Sequence, residues 1–140
     1  MSTAAADVPA ATIAALLAQC QLDPALAGCT FDSRVPDGTK PAKYAVLYLQ
    51  HSVIYERAGA SEPIAFDWLL TVHEVGLDVP QARLVIAAVA RQLAGFRIAV
   101  DGWRQTRCRL IDSEPIDFDT AVQPPIAYGM DQFTWRSDAA

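Results

Sequence analysis

The residues of this chain best suited to chemistry are two aspartates in the stretch Asp117-Phe118-Asp119-Thr120. In an Asp-x-Asp-x-Thr pattern the first aspartate can serve as a nucleophile in phosphotransfer and the second as an acid or base. That chemistry requires the motif at the end of a buried strand, with further Mg²⁺-binding acids after it. Here it comes late in a chain of 140 residues. The sequence favours a solvated acidic loop, and a small Mg²⁺-dependent phosphotransferase remains an alternative.

Histidine and cysteine side chains are the other candidates for catalysis or metal binding. The two histidines, His51 and His73, have no cysteine or carboxylate at ligand spacing apart from the neighbouring Glu74, and a metal site needs more convergent ligands. The three cysteines, at 20, 29 and 108, have no metal or redox spacing, which is typical of free thiols used as small apolar residues. We predict no catalytic residue, no metal site and no cofactor.

Length and composition predict one globular domain over residues 1–140. Hydrophobic residues make up 52% of the chain and charged residues 19%, which excludes a disordered chain. No apolar run approaches the roughly 18 residues that span a bilayer, and 1–7 lacks the basic segment of a signal peptide. The formal net charge of −5 argues against a protein that grips nucleic acid through its phosphates. It does not exclude one that DNA merely passes.

The strongest pattern is a strand followed by a helix over 66–94. Apolar residues alternate along the strand over 66–73, so one face is predicted to lie in the core and the other to be partly wet. Asp78 is suited to cap the helix, Pro80 is tolerated in its first turn, and Gly95 is suited to end it. The apolar stripe of the helix comprises Ala82, Val85, Ile86, Val89 and Leu93.

The rest of the chain is predicted to extend that sheet. Residues 51–57 either continue the strand before them or form a short hairpin partner. Residues 1–7 and 136–140 are predicted to be flexible. The other predicted elements are a helix over 8–21, a long loop over 28–42, a strand over 43–49, a turn over 59–63, a strand over 96–100, an Asp101-Gly102 hairpin turn of type I′, a return strand over 103–111, an acidic connection over 112–123 and, after two prolines, a last strand over 126–135.

This order of elements predicts the fold class. Hairpin connections and the lack of regular βα alternation favour an α+β fold, with a mostly antiparallel sheet of about four to six strands and two helices packed on it.

A charged surface is predicted on the last third of the chain. Arg104, Arg107 and Arg109 form a basic stretch, and acidic residues that include Asp117 and Asp119 follow it. A solvated sheet surface accounts for both. The alternative is a subunit interface, in which the arginines meet the acidic residues of a neighbouring copy.

Several stretches, taken together and in order, resemble the tail terminator (tail completion, neck) proteins of long-tailed siphophages, most closely the actinobacteriophage type. The resemblance covers about residues 43–135. The stretches that carry it are Tyr44-Ala45-Val46-Leu47-Tyr48, Thr71-Val72-His73-Glu74-Val75-Gly76, Gln81-Ala82-Arg83, Leu93-Ala94-Gly95 and Val122-Gln123-Pro124-Pro125-Ile126-Ala127-Tyr128-Gly129-Met130-Asp131-Gln132-Phe133.

The resemblance implies a structural virion protein without catalysis or membrane contact. Such a subunit forms a homohexameric ring at the head–tail junction, caps the head-proximal end of the tail tube and ends its polymerisation. The implied partners are further copies of the chain, the tail tube protein and the head–tail connector or stopper, and genomic DNA passes through the lumen without specific binding. Six copies at −5 each give a ring of roughly −30, which suits such passage.

Three other functions remain open from the sequence. A head–tail connector (adaptor or stopper) or a minor tail protein shares the small size and assembly into a particle. A phosphotransferase would use Asp117 and Asp119. A monomeric binding module would neither assemble nor bind a tail tube.

Overall fold

The chain folds as one mixed sheet with two helices, as seen in a computed structural model that describes residues 2–39, 41–122 and 125–140. A short 3₁₀ helix, Ala5–Asp7, precedes the first α-helix. The α-helices are α1 (Val8–Gln21) and α2 (Val79–Leu93). The strands are β1 (Thr30–Asp32), β2 (Tyr44–Tyr55), β3 (Pro63–Gly76), β4 (Trp103–Gln105), β5 (Arg109–Asp119) and β6 (Ile126–Ala139).

The sheet has the order β1-β2-β3-β6-β4, and β5 also pairs with β6 beyond the end of β4. All pairings between these strands are antiparallel except that of β1 with β2. Helix α2 packs on β3 and β6, and α1 packs on α2 and β1, so the predicted α+β class is confirmed. The predicted boundaries of α1 are confirmed as well. Residues 51–57, left open by the sequence, continue β2 as far as Tyr55.

The core lies between the helices and one face of the β3–β6 ladder. The alternation in β3 is confirmed, because Phe66, Trp68, Leu70 and Val72 are all buried on the helix side. In β6 every second residue from Ala127 to Ser137 is buried on the same side. We call this the helix face of the sheet and the opposite side the open face.

Helix α2 is fixed at both ends as its sequence predicts. The backbone N–H of Gln81 donates to Oδ1 of Asp78 at 2.8 Å, and the N–H of Leu77 donates to Oε1 of Gln81 at 3.1 Å. Gly95, at φ 79°, ends the helix in the left-handed region that glycine tolerates. An ion pair of 3.1 Å from Arg91 to the buried Asp23 ties α2 to the segment after α1.

The prediction of an acidic connection over 112–123 is wrong, because most of this segment belongs to strand β5. Two β-bulges in β5, between Leu110 and Asp112 and between Glu114 and Asp117, each insert one extra residue. The bulges break the alternation that identifies a strand in sequence. Pro115 lies in the second bulge, where a missing ladder donor is tolerated.

The prediction for 96–111 is also corrected. Residues 96–99 form no strand, and only the bridge from Val100 to Trp103 remains. Gly102 has φ 85°, but Asp101 is not in the left-handed region, so the turn is not type I′. The return strand is split at 106–108, because Cys108 bonds with the backbone of 95–96 instead of continuing β4.

The two chain ends and the loop over 28–42 contain backbone structure of their own. Residues 136–139, predicted to be flexible, continue β6 and pair with β3 and β4. Near the N-terminus the Thr3 N–H donates to the Asp101 carbonyl at 2.7 Å. The loop over 28–42 contains β1. Gln123 and Pro124, which belong to the stretch resembling tail terminators, lie outside the described residues.

Replacing Trp68 by alanine should lower the free energy of unfolding by about 3–5 kcal/mol, because a large buried side chain is removed. The indole is 1% exposed, stacks on Trp135 at 6.0 Å between ring centroids and donates to the Ser137 hydroxyl at 2.8 Å. Urea denaturation measures the loss. An exposed counterpart, Tyr55→Ala, should change stability by far less, and equal effects would remove Trp68 from the core.

Replacing Gly76 by alanine should destabilise the fold by about 1–3 kcal/mol through overpacking. A Cβ at this position would lie 2.5 Å from the backbone nitrogen of Ala82, which cannot move without shifting α2. The matched variant is Gly129→Ala, whose nearest obstacle is the flexible end of the Ile86 side chain at 2.9 Å. Thermal melting should rank Gly76→Ala as the more damaging change, and the reverse order would contradict this account of helix docking.

Candidate assembly surface

Strand β5 carries its charges in one row on the open face. Residues opposite each other in an antiparallel pair share a face. The charged residues of β5 pair with β6 residues that point away from the helices, and the two bulges restore this orientation each time the alternation would reverse it. The paired positions are Arg109 with Thr134, Asp112 with Gln132, Glu114 with Met130, Asp117 with Tyr128 and Asp119 with Ile126.

The row is basic at one end. Between the end of β4 and the start of β5, where Thr106 alone continues the hydrogen bonding to β6, lies a concavity of about 360 Å³. We call it the arginine notch; its walls are Asp67, Thr106, Arg107, Arg109, Thr134, Trp135 and Arg136. Three arginines, Arg107, Arg109 and Arg136, contribute to its walls, and Asp67 is the one acidic residue among them.

Two of the three arginines are held in place by the chain itself. Arg107 donates to the Gly95 carbonyl at 2.9 Å, and Arg136 donates through Nε to Asp138 at 3.0 Å. Asp67 lies 3.9 Å from the Arg136 guanidinium, which is a weak, exposed contact. The side chain of Arg109 has neither a hydrogen-bond nor an ion-pair partner among the described residues. The notch therefore carries unneutralised positive charge.

The other end of the row is acidic, and we call Asp117 and Asp119 the acidic end; Asp112 and Glu114 lie between it and the notch. Asp117 accepts from the Phe118 N–H at 2.8 Å and Asp119 from the Ala121 N–H at 3.0 Å, which fixes the backbone there. The partners of Arg109 and Asp119 on β6 are Thr134 and Ile126. The strand between those partners spans about 27 Å at the usual rise per residue. Asp117, whose partner Tyr128 is about 20 Å from Thr134 along the same strand, is also out of reach, so the acidic end cannot contact the notch of its own chain.

The arginines predicted as one stretch do not all lie together. Arg104 is on β4 opposite Asp138 and lines a different concavity formed by residues 97–105. The notch instead includes Arg136, which no pattern in the sequence singles out. Its position depends on the pairing of β6 with Thr106, whose N–H donates to the Arg136 carbonyl at 2.9 Å, and no local sequence signal reports that contact.

The geometry at Asp117 and Asp119 differs from that needed for phosphotransfer. Both lie on a solvated edge strand, and neither is at the end of a buried parallel strand. His51 is exposed beside Phe66 and Trp68, and His73 packs edge-on against Tyr48 at 5.0 Å. Among residues 2–39, 41–122 and 125–140, no cluster of three or more metal-binding side chains occurs.

A buried pair of carboxyl groups, Glu74 and Asp131, lies on the helix face and was missed from the sequence. Glu74 is 0% exposed and Asp131 4%. Burial raises the pKa of Glu74 to about 9, and the neighbouring Asp131 carboxyl adds to the rise. Neither Glu74 oxygen has a well-formed hydrogen bond in the described part of the chain, whereas Asp131 accepts from the Ser113 hydroxyl. Glu74 is therefore neutral at pH 7.

The cysteines are free thiols. Burial raises the pKa of Cys20 and of Cys108 to about 12, and both belong to the hydrophobic core. Such thiols are poor nucleophiles and act as small apolar side chains.

A scan against protein-family models and a search of curated proteins both found no match for this chain. Among solved structures, the fold is similar to that of a chain in "Virion of native gene transfer agent (GTA) particle". The TM-score is 0.72 at 16% sequence identity, and the alignment covers 94% of this chain and 98% of the other. At this identity the likeness shows a shared fold. In the described residues no helix is long and apolar enough to cross a membrane.

Replacing Glu74 by glutamine should flatten the dependence of stability on pH. The folded pKa of about 9 exceeds the ordinary value of 4.5, so the folded state holds an extra proton between them. The free energy of unfolding should therefore fall as pH rises through this window, by at most about 1.4 kcal/mol per unit. Glutamine mimics the neutral acid and should be more stable than the native chain at pH 8.

Urea denaturation at pH 5, 6, 7, 8 and 9 measures this dependence. Glu114→Gln, on the exposed face of β5, is the matched control and should keep the slope of the native chain. An unchanged slope in Glu74→Gln would show that Glu74 is ionised in the folded protein.

Proposed function

We propose that this chain is a structural component of a phage or phage-like particle, and that it acts as the tail terminator. In this role, copies form a homohexameric ring at the head-proximal end of the tail tube, end its polymerisation and join the tail to the head connector. The observation that supports a virion role is the fold shared with a gene transfer agent virion chain along nearly the full length of both.

The position within the particle is supported by the sequence resemblance. The name of the similar structure gives the particle and not the component, so the terminator assignment rests on the stretches within 43–135 that resemble tail terminators. A ring requires a heterologous contact between two different patches of the same chain. The arginine notch and the acidic end provide two such patches, of opposite charge, along one edge of the sheet.

The charge of the chain is compatible with DNA passage. At −5 per copy, a ring repels phosphates and therefore does not bind the genome tightly as the DNA moves through the lumen. A head–tail connector or a minor tail protein would share this property and is the second candidate.

Deleting the gene from the phage, prophage or particle-producing genome that carries it should give long tails of variable length that are not joined to heads, because the tube has lost its stop. Electron microscopy of lysates measures tail length and attachment. Supplying the native gene in trans should restore uniform, joined tails.

Other outcomes would change the assignment. Free tails of uniform length beside filled or leaking heads would make the chain a connector. Normal particles would remove the structural role, and Mg²⁺-dependent phosphatase activity lost in Asp117→Asn would then support the phosphotransferase.

A further inference from the structure

We infer that the arginine notch is a carboxylate-binding site and that the acidic end of β5 from a second copy of this chain fills it. This inference rests on the proposed function, because it supplies the contact between neighbouring copies in the ring. Two observations support it. The arginines of the notch are only partly neutralised, and a row of carboxylates lies on the edge strand β5.

The notch is built to bind a carboxylate. Arg107 and Arg136 are held by the Gly95 carbonyl and by Asp138, so part of the entropy of fixing their side chains is already lost before a ligand arrives. Arg109 lines the same concavity without a partner in the described chain. A guanidinium fork matches the two oxygens of a carboxylate. The hydroxyl of Thr106 also lines the concavity; it accepts from the Arg136 N–H at 2.8 Å and can donate its proton to such a ligand.

The carboxylates of the acidic end are exposed or partly exposed and can bind in such a site. It lies on an edge strand whose outer side pairs with no described strand, and Phe118 beside it is 51% exposed. Asp117 and Asp119 each use one oxygen to fix the local backbone, which leaves the second oxygen able to accept from a guanidinium. Both carboxylates point to the open face, the same face on which the notch opens.

The two patches cannot satisfy each other within one chain, because about 20 to 27 Å of strand separates Asp117 and Asp119 from Arg109. They also differ in sign, so two copies related by a two-fold axis through either patch would place like charges together. The notch of one copy must therefore meet the acidic end of the next. When it repeats from copy to copy, as the proposed ring requires, this contact is heterologous and gives a closed ring or a filament; when it is exchanged within one pair of copies, it gives a two-fold dimer.

The test is a charge swap in full-length chains. Variant A is Arg107→Glu with Arg109→Glu, variant B is Asp117→Arg with Asp119→Arg, and the swapped variant carries all four changes. The control, Arg34→Glu with Arg57→Glu, alters the net charge as A does but at exposed sites in the loop after β1 and the turn between β2 and β3. Thermal melting first establishes that each variant is folded.

In the particle, variants A and B should fail to replace the native gene, whereas the swapped variant and the control should restore joined tails. In solution, native mass spectrometry of purified A mixed with B should show A–B dimers and larger complexes with equal numbers of A and B, because each notch then meets an end of opposite charge. Neither alone should dimerise, and each reversed pair should weaken association about tenfold or more.

Several results would overturn the inference. Restoration by A and B, failure of a folded swapped variant, or the lack of an A–B dimer would each show that these patches do not meet. A salt-dependent affinity of the native chain for duplex DNA that A alone loses would make the notch a phosphate site. Normal particles after gene deletion would instead overturn the proposed function, and the A–B dimer would still test the contact.

Discussion

The pairing of β3 with β6 is the constraint on which the rest of the structure depends. Its register runs from Ala65 opposite Asp138 to Gly76 opposite Ala127, and it places the buried residues of both strands on one face. A slip of one residue would move every buried side chain of the slipped strand to the open face. The same register brings Gly76 and Gly129 under α2, where the missing side chains let the helix approach the sheet. The position of α2, and through it of α1, follows from this one ladder.

The same ladder determines where charge can lie. With the helix face of β6 filled mostly by apolar side chains, β5 can place charged residues only on the open face. A regular strand over 109–119 could not do so, because the charged positions change from odd to even and back to odd. Each β-bulge adds one residue and corrects the parity. The irregularities of β5 are thus what align a basic and an acidic patch along a single edge.

Whether a feature depends on local sequence or on pairing between distant strands explains which features could be predicted. The alternation of β3, the cap at Asp78 and the stop at Gly95 are local, and each was predicted correctly. Strand β5 was missed because bulges remove the period that reveals a strand. The notch was identified only in part, because Arg136 comes near Arg107 and Arg109 through pairing between distant residues. The burial of Glu74 was not predicted, since a charged residue at the end of an apolar strand is expected to lie on the surface.

The proposed contact between copies also has to form against a net repulsion. Each chain carries −5, so copies repel at long range, and this repulsion is screened beyond about 10 Å at roughly 0.1 M salt. At contact distance the local pairing of arginines with carboxylates dominates, because partial burial strengthens the attraction between opposite charges. A chain with this distribution stays dispersed until two copies are oriented with notch against acidic end. The distribution of charge therefore selects the relative orientation in which two copies of the chain associate.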